Sequence, residues 1–323
     1  MLARILGALA LALIQATAAL AQDYPNKLVI LTIPFAAGGP TDTLGRILGQ
    51  VMSNTLKQQV IIENVAGAGG TISYAKVAKS KSDGYTVLLA HIGMSTAPAL
   101  YRKPAVNPLT DYEYIGQVAD VPMTLIARKN LEADTFKEFM TYFRANNKKM
   151  TYGNAGLGAA SHLCGLLFLS AVKVDVQTVS YKGTAPAMAD LMGGHIDFMC
   201  DQTTNTTAQI KSGAVKVYAV TSRKGVPSLP GVPTLHDAGL KNFEVVVWHG
   251  LYVPKGTPKP AIDKLVSALQ AAVKDPTFKT KPAELGAEPV SVAKATPEGL
   301  QKHLKAEIDK WAPIIKAAGV YAD

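Results

Sequence analysis

The sequence predicts an α/β fold in more than one domain, and three observations point to it. Short apolar runs of strand length alternate with longer segments whose apolar residues recur every three or four positions, as on one face of a helix. Small-residue, glycine-rich loops stand where a strand feeds a helix. Such junctions occur in both halves of a 323-residue chain that is 48% hydrophobic, long enough for two ordinary domains with cores of their own.

The first 21 residues stand apart from this pattern. They carry one charge, Arg4, then a run of Ile, Leu and Ala, then Ala19-Leu20-Ala21 ahead of Gln22. That is the form of an export signal with an A-x-A cleavage site. The apolar stretch is short and interrupted by Gln15, so it is not read as a membrane anchor. A soluble chain beginning near Gln22, outside the cytoplasm, is expected, without a lipid because no cysteine lies near the cut. The formal net charge of +9 becomes +8 when Arg4 leaves. Basic residues are scattered in pairs such as Arg102-Lys103 and Lys148-Lys149, which argues against a nucleic-acid partner and for a solvated surface with a mild attraction for anions. His162 and His195 lie near Cys164 and Cys200, but no paired ligand motif is formed, so neither a metal nor another cofactor is expected. The cysteines themselves suit either a disulfide or two buried thiols.

The first junction organises the rest. Leu28 to Ile33 reads as a buried strand, and Leu44, Ile47, Leu48, Val51, Met52 and Leu56 have helical spacing. Between them lies Pro34-Phe35-Ala36-Ala37-Gly38-Gly39-Pro40-Thr41-Asp42. Side chains nearly vanish there, so a ligand can approach the backbone, with Thr41 or Asp42 expected to cap the helix. Free N–H groups and the positive end of the helix dipole suit a carboxylate or phosphate; a plain tight turn is the alternative.

The second junction follows Val60 to Glu63, where Gly67, Gly69 and Gly70 precede a helix through Ala78. A dinucleotide fingerprint would need glycine at Ile72, so a Rossmann cofactor site is not expected. Asp83-Gly84 turns into a strand over Tyr85 to Ile92, whose end carries His91, Ser95 and Thr96. Tyr114 to Arg128, with Val121-Pro122 in its middle, reads as a crossover strand, and Thr135 caps a helix through Asn146.

A third glycine loop, Gly153 to His162, opens a helix over Leu163 to Val172. Its glycines have the spacing of a phosphate-binding P-loop, but Ala159 and Ala160 stand where that motif needs Lys and Ser or Thr, so nucleotide hydrolysis is not expected. Ser161 and His162 are neighbours on a helix and do not face each other, which favours ligand contact or capping over a catalytic pair. Gln177 to Tyr181 is a strand, and Lys182-Gly183-Thr184-Ala185-Pro186 starts the next helix. Lys182 is the one cation among these loops, with a snorkelling surface lysine as the alternative. Ile196 to Cys200 reads as a strand ending in Asp201, which either holds a ligand or caps the helix through Lys211. Val215 to Thr221 and Phe243 to Val253 are extended, and the amphipathic helices over Pro258 to Val273 and around Leu300 to Ile315 look structural.

Pro34 to Asp42, Glu63-Asn64-Val65-Ala66-Gly67-Ala68-Gly69-Gly70, Asp83-Gly84-Tyr85-Thr86, Tyr181-Lys182-Gly183 and Trp248-His249-Gly250-Leu251 together resemble the Bug family, the substrate-binding proteins of tripartite tricarboxylate transporters. The resemblance runs from about Tyr24 to the end. It implies a periplasmic, two-lobed α/β protein of the Venus-flytrap type, each lobe a sheet flanked by helices, with two crossing strands as hinge. Lobe one would be 24–124 plus 247–323 and lobe two 125–246. The implied role is to bind a carboxylated solute and deliver it, as a monomer, to a membrane permease. Carried onto this sequence, the first carboxylate lies against Phe35, Ala36, Ala37, Gly38, Gly39, Thr41 and Asp42, helped by Gly67, Gly69 and Gly70, with Ser95 at the neighbouring strand end. Gly158, Ala159, Ser161, His162, Lys182, Gly183, Thr184 and Asp201 face them. Met94, Met123, His162 and Trp248 are expected to give a partly apolar wall, leaning toward an aromatic or medium-chain diacid over citrate.

Two other classes compete. A secreted hydrolase would use His91, His162 and Asp201 with Ser161 or Ser95, but no G-x-S-x-G elbow or H-E-x-x-H helix supports it. A sensor subunit for a membrane kinase shares the binding fold.

Overall fold

The computed structural model describes residues 24–319 and 321–322; the expected export signal lies outside the described residues. In chain order the elements are β1 (Val29–Ile33), α1 (Pro40–Leu56), β2 (Val60–Asn64), α2 (Thr71–Ala78), β3 (Thr86–His91), α3 (Gly93–Leu100), β4 (Tyr112–Arg128), α4 (Phe136–Asn146), β5 (Thr151–Asn154) and α5 (Ala160–Val172). Then come β6 (Gln177–Ser180), α6 (Thr184–Gly193), β7 (Phe198–Gln202), α7 (Thr203–Lys211), β8 (Val215–Val220), β9 (Val246–Pro254), α8 (Lys259–Ala272), α9 (Pro276–Glu284), β10 (Glu288–Pro289) and α10 (Pro297–Ala318).

The strands run in the order β2-β1-β3-β9-β4-β7-β5-β6, with β8 and β10 also paired to β4. At one end β2, β1 and β3 are parallel, as βα units require; at the other, β6, β5 and β7 are parallel too. Between them β4 belongs to both halves. Its residues up to Pro122 pair with β9, and those from Met123 pair with β7 and β8. Proline has no N–H for a ladder, and Pro122 stands where β4 changes partners, the place such a residue costs least. The result is a two-lobed α/β fold crossed by β4, with the chain returning through Val245 into β9.

Each half has its own packing logic. Leu44, Leu48, Val51, Met52 and Leu56 of α1 are buried in a cluster with Leu31, Ile33, Leu251, Leu265 and Leu269, an aliphatic core between strands and helices. The other half is aromatic: Phe139 stacks on Tyr218 at 4.5 Å and on Phe143 at 5.6 Å, and Phe198 meets Phe143 edge-on at 5.1 Å. Thr135 caps α4 as expected, in a capping box with Glu138. The cap of α1 differs from expectation. Gly39 is its N-cap, with extended φ and ψ of −81° and 174° and no side-chain cap, and Pro40 takes the first helical position, where its missing N–H is no loss. The strand expected over Ile196 to Cys200 is displaced to Phe198–Gln202, because Asp201 and Gln202 continue the ladder opposite Thr124 and Met123. Asp201 is therefore a strand residue and Gln202 is the N-cap of α7. The helices α3 and α9 carry internal prolines and were not expected from periodicity.

Cys164 of α5 and Cys200 of β7, both fully buried, form a disulfide. It ties helix to strand across a sequence separation of 36 residues. Closing a loop of that length in the unfolded chain is worth about 3–4 kcal/mol in the chain-entropy account. The double variant Cys164→Ala/Cys200→Ala is expected to lose stability of that order in urea unfolding. Equal midpoints for oxidised wild type and variant would contradict it.

Candidate functional site

The strand-to-helix loops of the two lobes meet face to face. Lobe one offers Pro34 to Thr41 after β1. Within it Gly38 has φ +80°, which frees its N–H to donate to Asp42 Oδ2 at 2.9 Å. Asp42 also receives Arg46 Nε at 2.8 Å on Oδ2, and Arg46 Nη2 and Asn64 Nδ2 on Oδ1 at 3.1 and 3.0 Å. Burial opposes its ionisation, but these hydrogen bonds with Arg46, Gly38 and Asn64, and the Arg46 charge, hold the carboxyl below its usual range. Asp42 thus shapes the loop, and Asn64 fastens the same loop by donating to Phe35 O at 3.0 Å.

Lobe two offers the loops after β5, β6 and β7. Asn154 Oδ1 accepts from Gly156 N at 2.8 Å, and Ser161 Oγ accepts from Ala155 N at 2.8 Å, so the glycine loop is held by its own polar side chains. His162 Nδ1 accepts from Gly158 N at 3.3 Å, and burial pushes its pKa down to about 4. Asp201 is fully buried, accepts from Gln202 N at 2.8 Å, and is paired with Asn205. Burial raises its carboxyl to about 7 against the lowering effect of these partners.

Backbone meets backbone between the walls. Ala36 N donates to Lys182 O at 3.3 Å, and a Cβ on Gly183 would lie 2.9 Å from Ala36 N. A Cβ on Gly69 would fall 1.9 Å from Leu157 O, so only glycine lets these loops meet. Tyr101 Oη donates to Ala68 O at 2.8 Å and Leu157 O at 3.3 Å, and Thr96 Oγ1 reaches Gly158 O at 3.4 Å.

Enclosed by these contacts is a narrow cavity lined by Phe35, Pro40, Thr41 and His91 on one side and by Ala155, Ala159, Ala160, Ser161, Thr184, Asp201 and Gln202 on the other. Six of the residues expected from sequence, Phe35, Thr41, Ala159, Ser161, Thr184 and Asp201, are brought together there. Gln202 Oε1 is buried without a hydrogen-bond partner, and the Thr184 hydroxyl lies beside the Asp201 carboxyl, whose ionised form it favours. Ala36, Gly67, Gly69, Gly70, Gly158 and Gly183 build the walls and their contacts, while Ala37 and Gly38 are exposed and Gly39 is the helix cap. Lys182 enters through its carbonyl, its side chain being exposed. Ser95 is not brought in: its hydroxyl donates to Ile92 O at 2.7 Å within α3.

Five lining residues fell outside the sequence-based set of ligand contacts, Pro40, Ala155, Ala160 and the polar His91 and Gln202. His91 ends β3 directly opposite His249 of β9, and its ring stacks on Phe35 at 4.7 Å. His249, completely buried, makes a 3.3 Å hydrogen bond between Nε2 and Thr41 Oγ1, and burial first, then His91, lowers its pKa well below the usual value. The expected apolar wall does not form. Met94 and Met123 are in the core, and Trp248, one residue before His249 on a strand, faces the opposite side and donates to Glu307 Oε2 at 3.2 Å. Small and aromatic groups, Phe35, Ala155 and Ala159, take its place. A separate cavity of about 440 Å³ lies behind the crossing strands, lined by Asp120, Arg223, Glu244, Trp248 and Glu307 among others; it touches none of the glycine loops.

A hydrolytic constellation is not assembled. Ser161 accepts from backbone N–H, Ser95 serves its own helix, and among the described residues neither hydroxyl is paired with a histidine. Also among the described residues, no group of His, Cys, Asp or Glu is placed to hold a metal, and no helix is long and apolar enough to cross a membrane.

Two α/β lobes joined by crossing strands, with neutral donors and hydroxyls facing each other across the junction, are the architecture of a solute-binding protein. The periplasmic binding proteins share it. The chain belongs to the tripartite tricarboxylate transporter family of receptors, TctC, whose model matches residues 44–320. Among solved structures it is similar to the periplasmic binding protein BugD, with 52% identity, a TM-score of 0.91, and coverage of 92% of this chain and 99% of that one. It is also similar to MatC from Rhodopseudomonas palustris with bound malate, at 35% identity, TM-score 0.87, and coverage of 90% and 100%. A third, Rpa4515 of R. palustris with adipate, shares 32% identity, with a TM-score of 0.88 and coverage of 93% and 99%. The resemblance to the Bug family seen in the sequence motifs is thereby confirmed.

Asp201 makes the site sensitive to pH. Its carboxyl keeps a proton in the folded chain up to about pH 7, whereas an unfolded aspartate releases it near its ordinary value of 3.8. Between those values the folded state binds more protons, so stability falls as pH rises, by up to about 1.4 kcal/mol per pH unit from this group. Asp201→Asn is expected to remove that slope, measured as the variant-minus-wild-type difference in urea unfolding from pH 4.5 to 7.5. A difference constant across the range would contradict it.

Proposed function

We propose that this protein is an exported, monomeric receptor that captures a carboxylated small molecule between its lobes and hands it to the membrane permease of a tripartite tricarboxylate-type transporter. Residues 1–21 serve as the cleaved signal, which leaves the chain in the periplasm. The lobes are residues 24–124 plus 247–323 and residues 125–246.

The observation that carries this reading is the pairing of opposed glycine loops around one narrow cavity, closed by the Ala36 N to Lys182 O contact, into which both lobes turn polar groups. Thr41 and His91 come from one lobe, and Ser161, Thr184, Asp201 and Gln202 from the other. The glycine loops bring backbone donors close to it. A carboxylate accepts several hydrogen bonds, and those from N–H to a charged oxygen are roughly twice as strong as neutral ones. Neither lobe alone supplies a full set. The acid therefore favours the closed state through contacts that exist only there, which marks the receptor as loaded.

Among acids, the small residues of the lining, Ala155, Ala159, Ala160 and Ser161, and the malate and adipate found in two relatives favour slender aliphatic diacids. Wider aromatic acids and citrate rank behind them, because the methionines and Trp248 that were to line the far wall point elsewhere.

The test is a thermal-shift series on mature protein freed of co-purified ligand, with malate, adipate, citrate and benzoate in carboxylate-free buffer. A ligand at a hundred times its Kd adds about 2.7 kcal/mol of stability, so a binder raises Tm by several degrees. Thr184→Ala and Ser161→Ala are expected to weaken the response to the best acid. A flat response to all four acids, extended to a broader carboxylate panel, refutes the carboxylate assignment.

A further inference from the structure

Two histidines, His91 and His249, lie opposite each other beneath the Phe35 loop, and the solute-binding role as stated puts His91 on the cavity wall without saying which atom of the solute it recognises. It is 2% exposed, lines the cavity, and lies against Phe35 with ring centroids 4.7 Å apart and planes inclined by 26°. A merely packed aromatic would serve there equally well. His91 differs from one in how its ring nitrogens are used.

Gly93 N donates to His91 Nδ1 at 2.9 Å. That nitrogen is therefore an acceptor, and in a neutral imidazole the proton must then be on Nε2. The arrangement is built closely. A Cβ on Gly93 would lie 3.0 Å from His91 Cε1 and 2.9 Å from Tyr74 Oη, so the backbone reaches the ring only because position 93 has no side chain. Phe35 on one face and the edge of His249, with centroids 5.9 Å apart, fix the ring plane. Burial holds the ring neutral, with its pKa pushed down to about 4.

We propose that His91 is a specificity-determining residue of the binding site, whose Nε2–H donates to an acceptor oxygen of the bound acid and is held in that tautomer by the Gly93 N–H. This rests on the solute-binding reading above and names what one wall recognises. A donor without charge rewards an oxygen, from a carboxylate or a hydroxyl, and repels an ammonium or amide N–H placed at the same spot. His249 has a different task, backing the Thr41 hydroxyl from below. Together the two rings give this wall polarity without a cation.

Two measurements decide it. The first needs no ligand: ring nitrogen shifts of histidine-labelled protein at pH 7 are expected to show His91 neutral and protonated on Nε2. A proton on Nδ1, or an imidazolium, overturns the proposal. The second compares affinities of wild type, His91→Phe and His91→Gln for malate and adipate by calorimetry, with ligand-free Tm for each protein. His91→Phe keeps a ring against Phe35 but has no donor, and a ten- to hundredfold weaker affinity is expected. His91→Gln restores an N–H and is expected to recover part of the loss even where its Tm is no higher than that of His91→Phe. Wild-type affinity in His91→Phe, or a loss in both variants that merely follows Tm, overturns it. Failure of wild type to bind any acid instead refutes the carboxylate function, and the tautomer still decides whether His91 presents a donor.

Discussion

The structure depends on how closely two backbones approach at the junction of the lobes. The Gly69 backbone packs on the carbonyl of Leu157, and the Gly183 backbone meets Ala36, at separations that no Cβ would allow. Everything functional follows from that approach. A cavity lined by short side chains and main chain leaves little room for water, and there electrostatic contacts weaken less with distance than they do in solvent. The glycines cost conformational entropy in the unfolded chain, and the loop contacts offset it: Asp42 holds Gly38, Asn154 holds Gly156, and Ser161 holds Ala155.

The second constraint is that a site shared by two lobes needs few and stiff connections. β4 meets it by being one strand in two ladders, with Pro122 where the partners change. Along β9, period-two alternation sends Trp248 to Glu307 and α10 while His249 goes to Thr41. One crossing segment thus ties the outer helix to the ligand loops.

Much of this was legible in the sequence. Strand, glycine loop and helix in fixed order gave the α/β class and four of the site loops, because backbone geometry there admits only small residues. Thr135 announced the cap of α4, and the structure adds Glu138 as its capping-box partner. What escaped depended on side-chain direction or on partners distant in the chain. Asp42 was taken for a ligand contact although Arg46 stands four residues on, the spacing of a helical ion pair, and that signal was available. Trp248 was placed on the cleft although strand alternation allows only one of Trp248 and His249 to face it. His91 stood at a strand end and entered only the hydrolase alternative, because its orientation toward the cavity is fixed by Phe35 and His249, 56 and 158 positions away. The boundary of β7 moved because β4 extends the ladder over Asp201, a tertiary effect that local pattern does not contain.

The charges of the site follow a consistent rule. Every strongly ionised group near the loops is committed elsewhere: Asp42 to Arg46, and Lys182 to solvent. Those that line the cavity or support it from beneath, His91, His162, His249 and Asp201, have pKa values moved by burial toward the neutral form. In the proposed role this choice has a physical reason. A buried cation would hold an anionic solute tightly, but it would stand as an uncompensated charge whenever the site was empty, at a desolvation cost of several kcal/mol. Neutral polar groups cost far less unpaired, about 1–3 kcal/mol each, and Gln202 Oε1, an acceptor without a partner, is one of this kind. A receptor that must both take up and give away its solute is served by many such contacts, each weak alone and complete only when the lobes meet.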